Sequence, residues 1–173
     1  MPCSDPSWIP HVVQKIMREK PVSVLDIGVG FGMGGMIARQ YGDVWNGRLT
    51  KADWTTRIEG VEVFGKYIAG HQQAIYDRIY IGDALEIVPA LDQYDMVLCI
   101  DVLEHFSKED GRRLMGLIVE HGKHFLVTTP FEYFAQGAVY GNDAERHLSH
   151  WMGFELSEFG TVGGAGALLM VQS

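Results

Sequence analysis

The chain has 173 residues, 47% of them hydrophobic and 21% charged. That length supports one domain spanning 1–173, with a core large enough to need no disulfide or metal staple, and the composition excludes a disordered chain. Fourteen Lys and Arg against 22 Asp and Glu leave a net charge of −8, and the longest basic run is Arg112-Arg113. Such a surface repels a phosphate backbone, so no nucleic-acid partner is expected. No apolar run reaches the ~18 residues that span a bilayer, so no membrane partner is expected either. The stretch from Met1 to Pro6 lacks the basic and apolar regions of a secretory leader, which points to a cytoplasmic chain. Cys3 and Cys99 form neither a disulfide framework nor a CxxC pair, in keeping with a reducing compartment.

An N-terminal helix is predicted within residues 1–20. Ile9, Val12, Val13, Ile16 and Met17 share one stripe, with Ser7 as its cap and Pro10 in its first turn. Val22–Ile27 reads as a buried strand, residues 28–35 as a glycine-rich turn and Met33–Tyr41 as a helix. Residues 43–57, with Trp45 and Trp54, read as a long connector whose tryptophans serve packing or a dimer contact, and a homodimer is left open. Strands follow at 57–63, 78–81, 94–100 and 124–129. Helices lie between them, at 64–74, from Ala84 until Pro89 disturbs it, and from Ser107 to Gly122. Residues 154–159 alternate apolar and charged and residues 167–171 are apolar. They read as a closing hairpin around the glycines at 163–166, with one strand opposed to the rest. Strands alternating with helices predict a parallel sheet covered on both faces.

The chemistry gathers at the carboxyl ends of these strands, where open α/β sheets bind ligands. Val24-Leu-Asp-Ile-Gly-Val-Gly-Phe-Gly32 places Asp26 at the end of the first strand and Gly28, Gly30 and Gly32 in the turn. Glycines there let backbone approach a ligand closely. The acid before them suits a cation and disfavours a pyrophosphate. Glu62 closes the second strand, where a carboxylate can accept both ribose hydroxyls. Asp83 closes the third, where it can accept from an adenine amino group, and Asp101 closes the fourth. Gly30–Gly35 also matches GxGxxG, the string of nicotinamide enzymes, but not directly after the strand.

With VLDIGVGFG (24–32), IEGVEVF (58–64), IGDALEIVPAL (81–91), YDMVLCIDVLEHF (94–106) and FLVTTP (125–130), the sequence resembles class I S-adenosylmethionine-dependent methyltransferases over nearly its whole length. The resemblance implies a single Rossmann-like, doubly wound α/β domain. Its seven-stranded sheet would be mostly parallel, with strand 7 antiparallel, and S-adenosylmethionine would be its cofactor. It further implies that Asp26, Gly28 and Gly30 line the methionine moiety, with Gly32 completing the turn. Glu62 would hold the ribose, with Val63 against the adenine, Asp83 and Ala84 at the adenine edge, and Asp101 near the amino acid end. Glu59 competes with Glu62, but period two puts it on the other face and before the strand end.

Plainer readings stand beside these. The glycines could form an ordinary tight turn, Asp83 could only cap the next helix, and Asp101 could be a helix N-terminal carboxylate. Asp101, Glu104 and His105 resemble the acid-histidine cluster of ubiquinone-biosynthesis O-methyltransferases and could in principle hold Mg²⁺ or Zn²⁺. The preferred reading assigns no metal and puts His105 in the acceptor pocket. His105 is the first choice of base for a hydroxyl acceptor, followed by His147 and His150. Residues 130–153 mix aromatics with Glu145, Arg146, His147 and His150 and read as an acceptor lid, in competition with a plain helix. The expected reaction is in-line methyl transfer to a small-molecule acceptor, most simply an O-methylation of a sugar or glycan precursor, a phenol or a carboxylate. The alternatives are an NAD(P)-binding oxidoreductase and a non-catalytic cofactor-binding module.

Overall fold

A computed structural model describes residues 4–173, and Cys3 lies outside the described residues. The strands are β1 (Ser23–Ile27), β2 (Arg57–Glu62), β3 (Arg78–Ile81), β4 (Tyr94–Ile100), β5 (Gly122–Pro130), β6 (Thr161–Ala165) and β7 (Leu168–Gln172). The helices are α1 (Ile9–Glu19), α2 (Met33–Gly42), α3 (Gly70–Ile75), α4 (Ala84–Ile87), α5 (Lys108–His121) and α6 (Gly153–Leu156). The sheet runs β3-β2-β1-β4-β5-β7-β6, with β7 antiparallel to both neighbours. This is the expected doubly wound, Rossmann-like architecture. Its order reverses between β1 and β4, where crossovers leave on opposite faces and open a crevice above the strand ends.

Alternation along β1 divides the core. Leu25 and Ile27 face one side with Val97, Cys99, Leu114 and Ile118, while Val24 faces the other with Met96, Leu98, Val12, Ile16 and Ile37. Both faces of the sheet are thus dry, which is why β4 is apolar throughout except at Asp95. No helix among the described residues is long and apolar enough to cross a membrane.

Several local expectations are corrected. Ser7 does not cap α1. It belongs to a 3-10 turn, Pro6–Trp8, capped by Asp5, which accepts from the Ser7 N–H at 2.9 Å. Met17, expected inward, is exposed. The helix expected over 64–74 is a 3-10 turn, Gly65–Tyr67, followed by the short α3. At the C-terminus the alternating stretch 154–159 is not a strand. A helical turn, α6, forms there because the Met152 N–H donates to Glu155 Oε2 and Lys108 holds the same carboxylate. The glycine-rich stretch itself supplies β6, and the hairpin turns through Gly166 at φ +60°. Backbone pairing to β7 outweighs the weak strand preference of its glycines.

The 43–57 connector folds around buried charge. Arg39 donates to Asp43 Oδ2 at 2.6 Å and to Asp77 at 3.0 Å, and its guanidinium lies 4.1 Å from the Trp54 ring centroid. Burial pushes the Asp43 carboxyl up. The N–H of Thr55, the guanidiniums of Arg48 and Arg39 and the N–H of Thr56 outweigh it and hold the group at about 2. Trp54 is therefore a packing residue, while Trp45 stays largely exposed beside Tyr41.

Candidate functional site

A hollow of about 940 Å³ opens above the carboxyl ends of the parallel strands. Of the predicted residues, Asp26, Gly28, Gly30, Glu62, Val63, Asp83, Ala84, Asp101, His105 and His147 line it, with Glu104 between the last acid and His105. Gly32 and His150 do not line it. Gly32 instead starts α2 at φ +87°. His150 meets the Phe131 carbonyl through Nε2 at 3.1 Å, with its ring beside Tyr133.

The turn after β1 is shaped for close approach. Gly28 sits at φ +79°, and a Cβ there would stand 2.3 Å from Val102 Cγ2. Neither the backbone angle nor the space admits another residue without movement. Gln72, fully buried, donates to the Gly30 carbonyl and the Tyr67 carbonyl, both at 2.9 Å, and so fixes the turn from α3. Asp26 lies beneath it and is only 3% exposed. Its Oδ2 accepts from the Gly35 N–H at 3.1 Å and from the Tyr76 hydroxyl. Burial raises its carboxyl to about 7 against those two hydrogen bonds, and the nearby Glu62 adds to the rise.

Glu62 is also buried, yet its two oxygens are held apart. Oε2 accepts from the Gly30 N–H at 2.9 Å and Oε1 from the Phe64 N–H at 2.8 Å. Burial raises its pKa, and these N–H groups offset the rise in part. Each oxygen retains a lone pair for a further donor. Glu59, the competitor, does not line the hollow. It binds the Tyr94 hydroxyl and Arg57 instead. Asp83 Oδ1 accepts from the Leu85 N–H at 2.9 Å, so it caps α4, and its second oxygen has no such duty.

Asp101 stands in the left-handed region at φ +50°. Its N–H donates to Thr128 Oγ1 at 3.1 Å and its Oδ1 accepts from that hydroxyl at 2.6 Å. Burial raises its pKa against hydrogen bonds from Thr128 and Ser4. Glu104 and His105 follow in the 3-10 turn Leu103–His105. The Glu104 carbonyl accepts from the N–H groups of Leu148 and Ser149, at 2.8 and 3.1 Å, which pins the segment after β5 over the hollow. His105 Nδ1 lies 3.2 Å from the Arg146 carbonyl. Burial lowers the His105 pKa, so the ring is neutral near pH 7, although the Arg146 carbonyl opposes the shift.

The segment from 130 to 152, before α6 begins, contains no α-helix. Its one helical piece is a 3-10 turn, Asp143–Glu145. Pro130, Phe134, Gln136, Asn142, Glu145, His147 and Leu148 contribute to the lining, and Ser4–Ile9 closes the hollow from the other end of the chain. Sequence reasoning missed Tyr67, whose hydroxyl donates to Glu145 Oε1 at 2.8 Å, and the supporting Gln72, Tyr76 and Thr128. Tyr76 meets Asp26 across 50 positions, and no spacing signal reaches that far.

The lining carries eight carboxylates, from Asp5, Asp26, Glu62, Asp83, Asp101, Glu104, Asp110 and Glu145, and no Lys or Arg among the described residues. A hollow of one sign with apolar walls focuses that field on whatever enters.

No protein-family model matches this chain, and no curated protein does. Solved structures do. TehB from Haemophilus influenzae aligns at TM-score 0.66 and 12% identity, covering 94% of this chain and 60% of that one. Magnesium protoporphyrin IX methyltransferase (ChlM) from Synechocystis PCC 6803, solved with bound SAH, aligns at TM-score 0.62 and 14% identity, covering 95% and 80%. An O-methyltransferase family protein from Burkholderia thailandensis aligns at TM-score 0.62 and 13% identity. The match covers 95% of this chain and 54% of that protein, so this chain spans about half of its length. At such identities the likeness establishes the architecture, and this chain has the Rossmann-like fold of the methyltransferases among these structures.

Proposed function

We propose that the protein is an S-adenosylmethionine-dependent methyltransferase acting on a small hydroxylated acceptor. One observation carries the reading: the glycine turn and the strand-end acids share a single hollow whose charged side chains are all acidic apart from its histidines. A sulfonium cation is stabilised in such a field and a pyrophosphate is repelled. The fold neighbours support the reading, since ChlM was solved with both SAH and SAM bound.

The residues fit that cofactor. Glu62, its carboxylate already oriented by two N–H groups, has an acceptor lone pair on each oxygen for the two ribose hydroxyls. Val63 and Ala84 wall the base, and the second oxygen of Asp83 receives its amino group. Gly28 and Gly30 bring bare backbone to the methionine chain, with Asp101 and the partly protonated Asp26 beside it. S-adenosylmethionine supplies an electrophilic methyl on a sulfonium whose charge disappears on transfer. The protein's contribution is alignment and a dry pocket, a source of roughly 7–11 kcal/mol when the reacting atoms are well placed.

The acceptor enters under the 130–153 segment, between Phe134, Leu148 and the acids. With no Lys or Arg among the described lining residues, a phenol or sugar hydroxyl is favoured over a carboxylate. A proton released from that hydroxyl is accepted by His105, kept neutral by burial, or by His147 beside it, whose ring lies 5.0 Å away. His150, outside the lining, has no part in this step.

The test is calorimetric titration with S-adenosylhomocysteine and, separately, with NAD. Binding of S-adenosylhomocysteine alone is expected, and binding of NAD alone would overturn the reading. Transfer of a labelled methyl group is then scored against a panel of phenols, sugars and carboxylic acids.

A further inference from the structure

Glu104 is an anomaly in a well-satisfied site. It is 3% exposed and its Oε2 is buried without a hydrogen-bond partner. A carboxylate oxygen in that state is costly unless a cation or proton compensates it. The structure places two imidazoles beside it. Donor atoms of Glu104, His105 and His147 all lie within 4.8 Å of one another, although His147 is 42 positions from His105 in sequence. Asp101, grouped with Glu104 and His105 by sequence position, is not in this trio, and Thr128 engages its carboxylate.

The imidazoles are prepared in the same sense. His105 Nδ1 lies 3.2 Å from the Arg146 carbonyl and His147 Nδ1 lies 3.0 Å from the Phe134 carbonyl. A carbonyl only accepts, so Nδ1 carries the proton in each ring and Nε2 carries the lone pair. Backbone carbonyls orient metal-binding histidines in the same way. The loop that brings His147 is itself tied to the Glu104 carbonyl by the Leu148 and Ser149 N–H groups. All three residues line the hollow.

We propose that Glu104, His105 and His147 hold one divalent first-row transition ion, of the Zn²⁺ or Mn²⁺ kind, with its open positions turned into the hollow. Two imidazoles and one carboxylate suit such an ion, whereas Mg²⁺ prefers an all-oxygen shell. Tetrahedral donors at ~2.1 Å from zinc stand roughly 3.4 Å apart, so the donors, now within 4.8 Å of one another, close by at most about 1.4 Å around the ion.

The use of the site, though not its existence, rests on the methyl-transfer reading. The ion takes the acceptor hydroxyl as a ligand and lowers its pKa. The hydroxyl proton passes to water in the hollow. The freed oxygen pair forms the new O–C bond, and the pair of the breaking S–C bond stays on sulfur. The two imidazoles then serve as ligands, and the ion takes over their role toward the acceptor proton.

The experiment uses the full chain, stripped with chelator and dialysed, then titrated with Zn²⁺, Mn²⁺ and Mg²⁺ in separate calorimetric runs. Mn²⁺ is also followed by electron paramagnetic resonance. One equivalent of Zn²⁺ or Mn²⁺ is expected, bound at least tenfold more tightly than Mg²⁺ and at least tenfold more weakly in His147→Ala. Glu104→Gln gives an independent second loss, and circular dichroism of each variant reports its fold. Absence of a one-equivalent site, unchanged affinity in folded His147→Ala, or a preference for Mg²⁺ overturns the proposal. S-adenosylhomocysteine titration runs alongside. Ion binding without nucleoside binding sinks the methyl-transfer reading and leaves the metal site standing, while the reverse result sinks the metal site alone.

Discussion

Asp26 makes the stability of this protein depend on pH in a direction opposite to that of most acids. Its carboxyl is raised from 3.8 to about 7 by burial, so the folded state holds a proton that the unfolded chain has released. The stabilisation is complete below the unfolded value and is lost as pH rises through about 7. Between about pH 5 and pH 8 the loss amounts to about 3 kcal/mol, at 1.36 kcal/mol per pK unit. In a chain of this length that corresponds to roughly 6–12 °C in melting temperature. Asp26→Asn removes the ionisation while keeping an oxygen for the Gly35 N–H. Glu62, Asp101 and Glu104, raised in the same direction, titrate in both proteins, so comparison of the two melting curves across pH isolates Asp26. The drop from about pH 5 to pH 8 should be smaller in the variant by that amount. Parallel curves for the two proteins would refute the argument that burial controls this carboxyl.

Other residues give sharper local tests. Gly28→Ala should destabilise by about 1–2 kcal/mol from its left-handed backbone alone, with a further loss from Val102. Adding Val102→Ala should recover only that further loss, as a denaturant double-mutant cycle would reveal. Glu62→Gln should weaken S-adenosylhomocysteine binding about 10- to 100-fold, the equivalent of one hydrogen bond to a charged group, measured by calorimetry. Asp43→Ala should cost about 3–5 kcal/mol in urea unfolding, because it strands the Arg39 guanidinium, 3% exposed, without its closest anion.

Much of the site was legible before any coordinates because its residues lie at strand ends. Period-two alternation and the glycine turn locate those ends, and a parallel sheet sends them all to one edge. That logic separates Glu62 from Glu59, which differ by three positions and therefore point to opposite faces. It failed where local pattern and tertiary demand disagreed. Residues 154–159 alternate like a strand, but Lys108 and the Met152 N–H capture Glu155 and wind the segment into a turn. The poor strand formers Gly163, Gly164 and Ala165 were recruited into β6 because β7 offered them a complete backbone ladder.

Sequence alone therefore determined the strand-helix alternation, the reversed closing strand and the row of acids from Asp26 to Asp101. These follow from short-range periodicity and from the glycine and proline turns that end each strand. Only the tertiary structure decided which side chains support that row and what faces it. Tyr76 under Asp26, Gln72 behind Gly30, and His147 beside Glu104 and His105 are meetings between distant parts of the chain. Such contacts arise from how helices and loops pack on the finished sheet, and a residue's sequence neighbours carry no record of them.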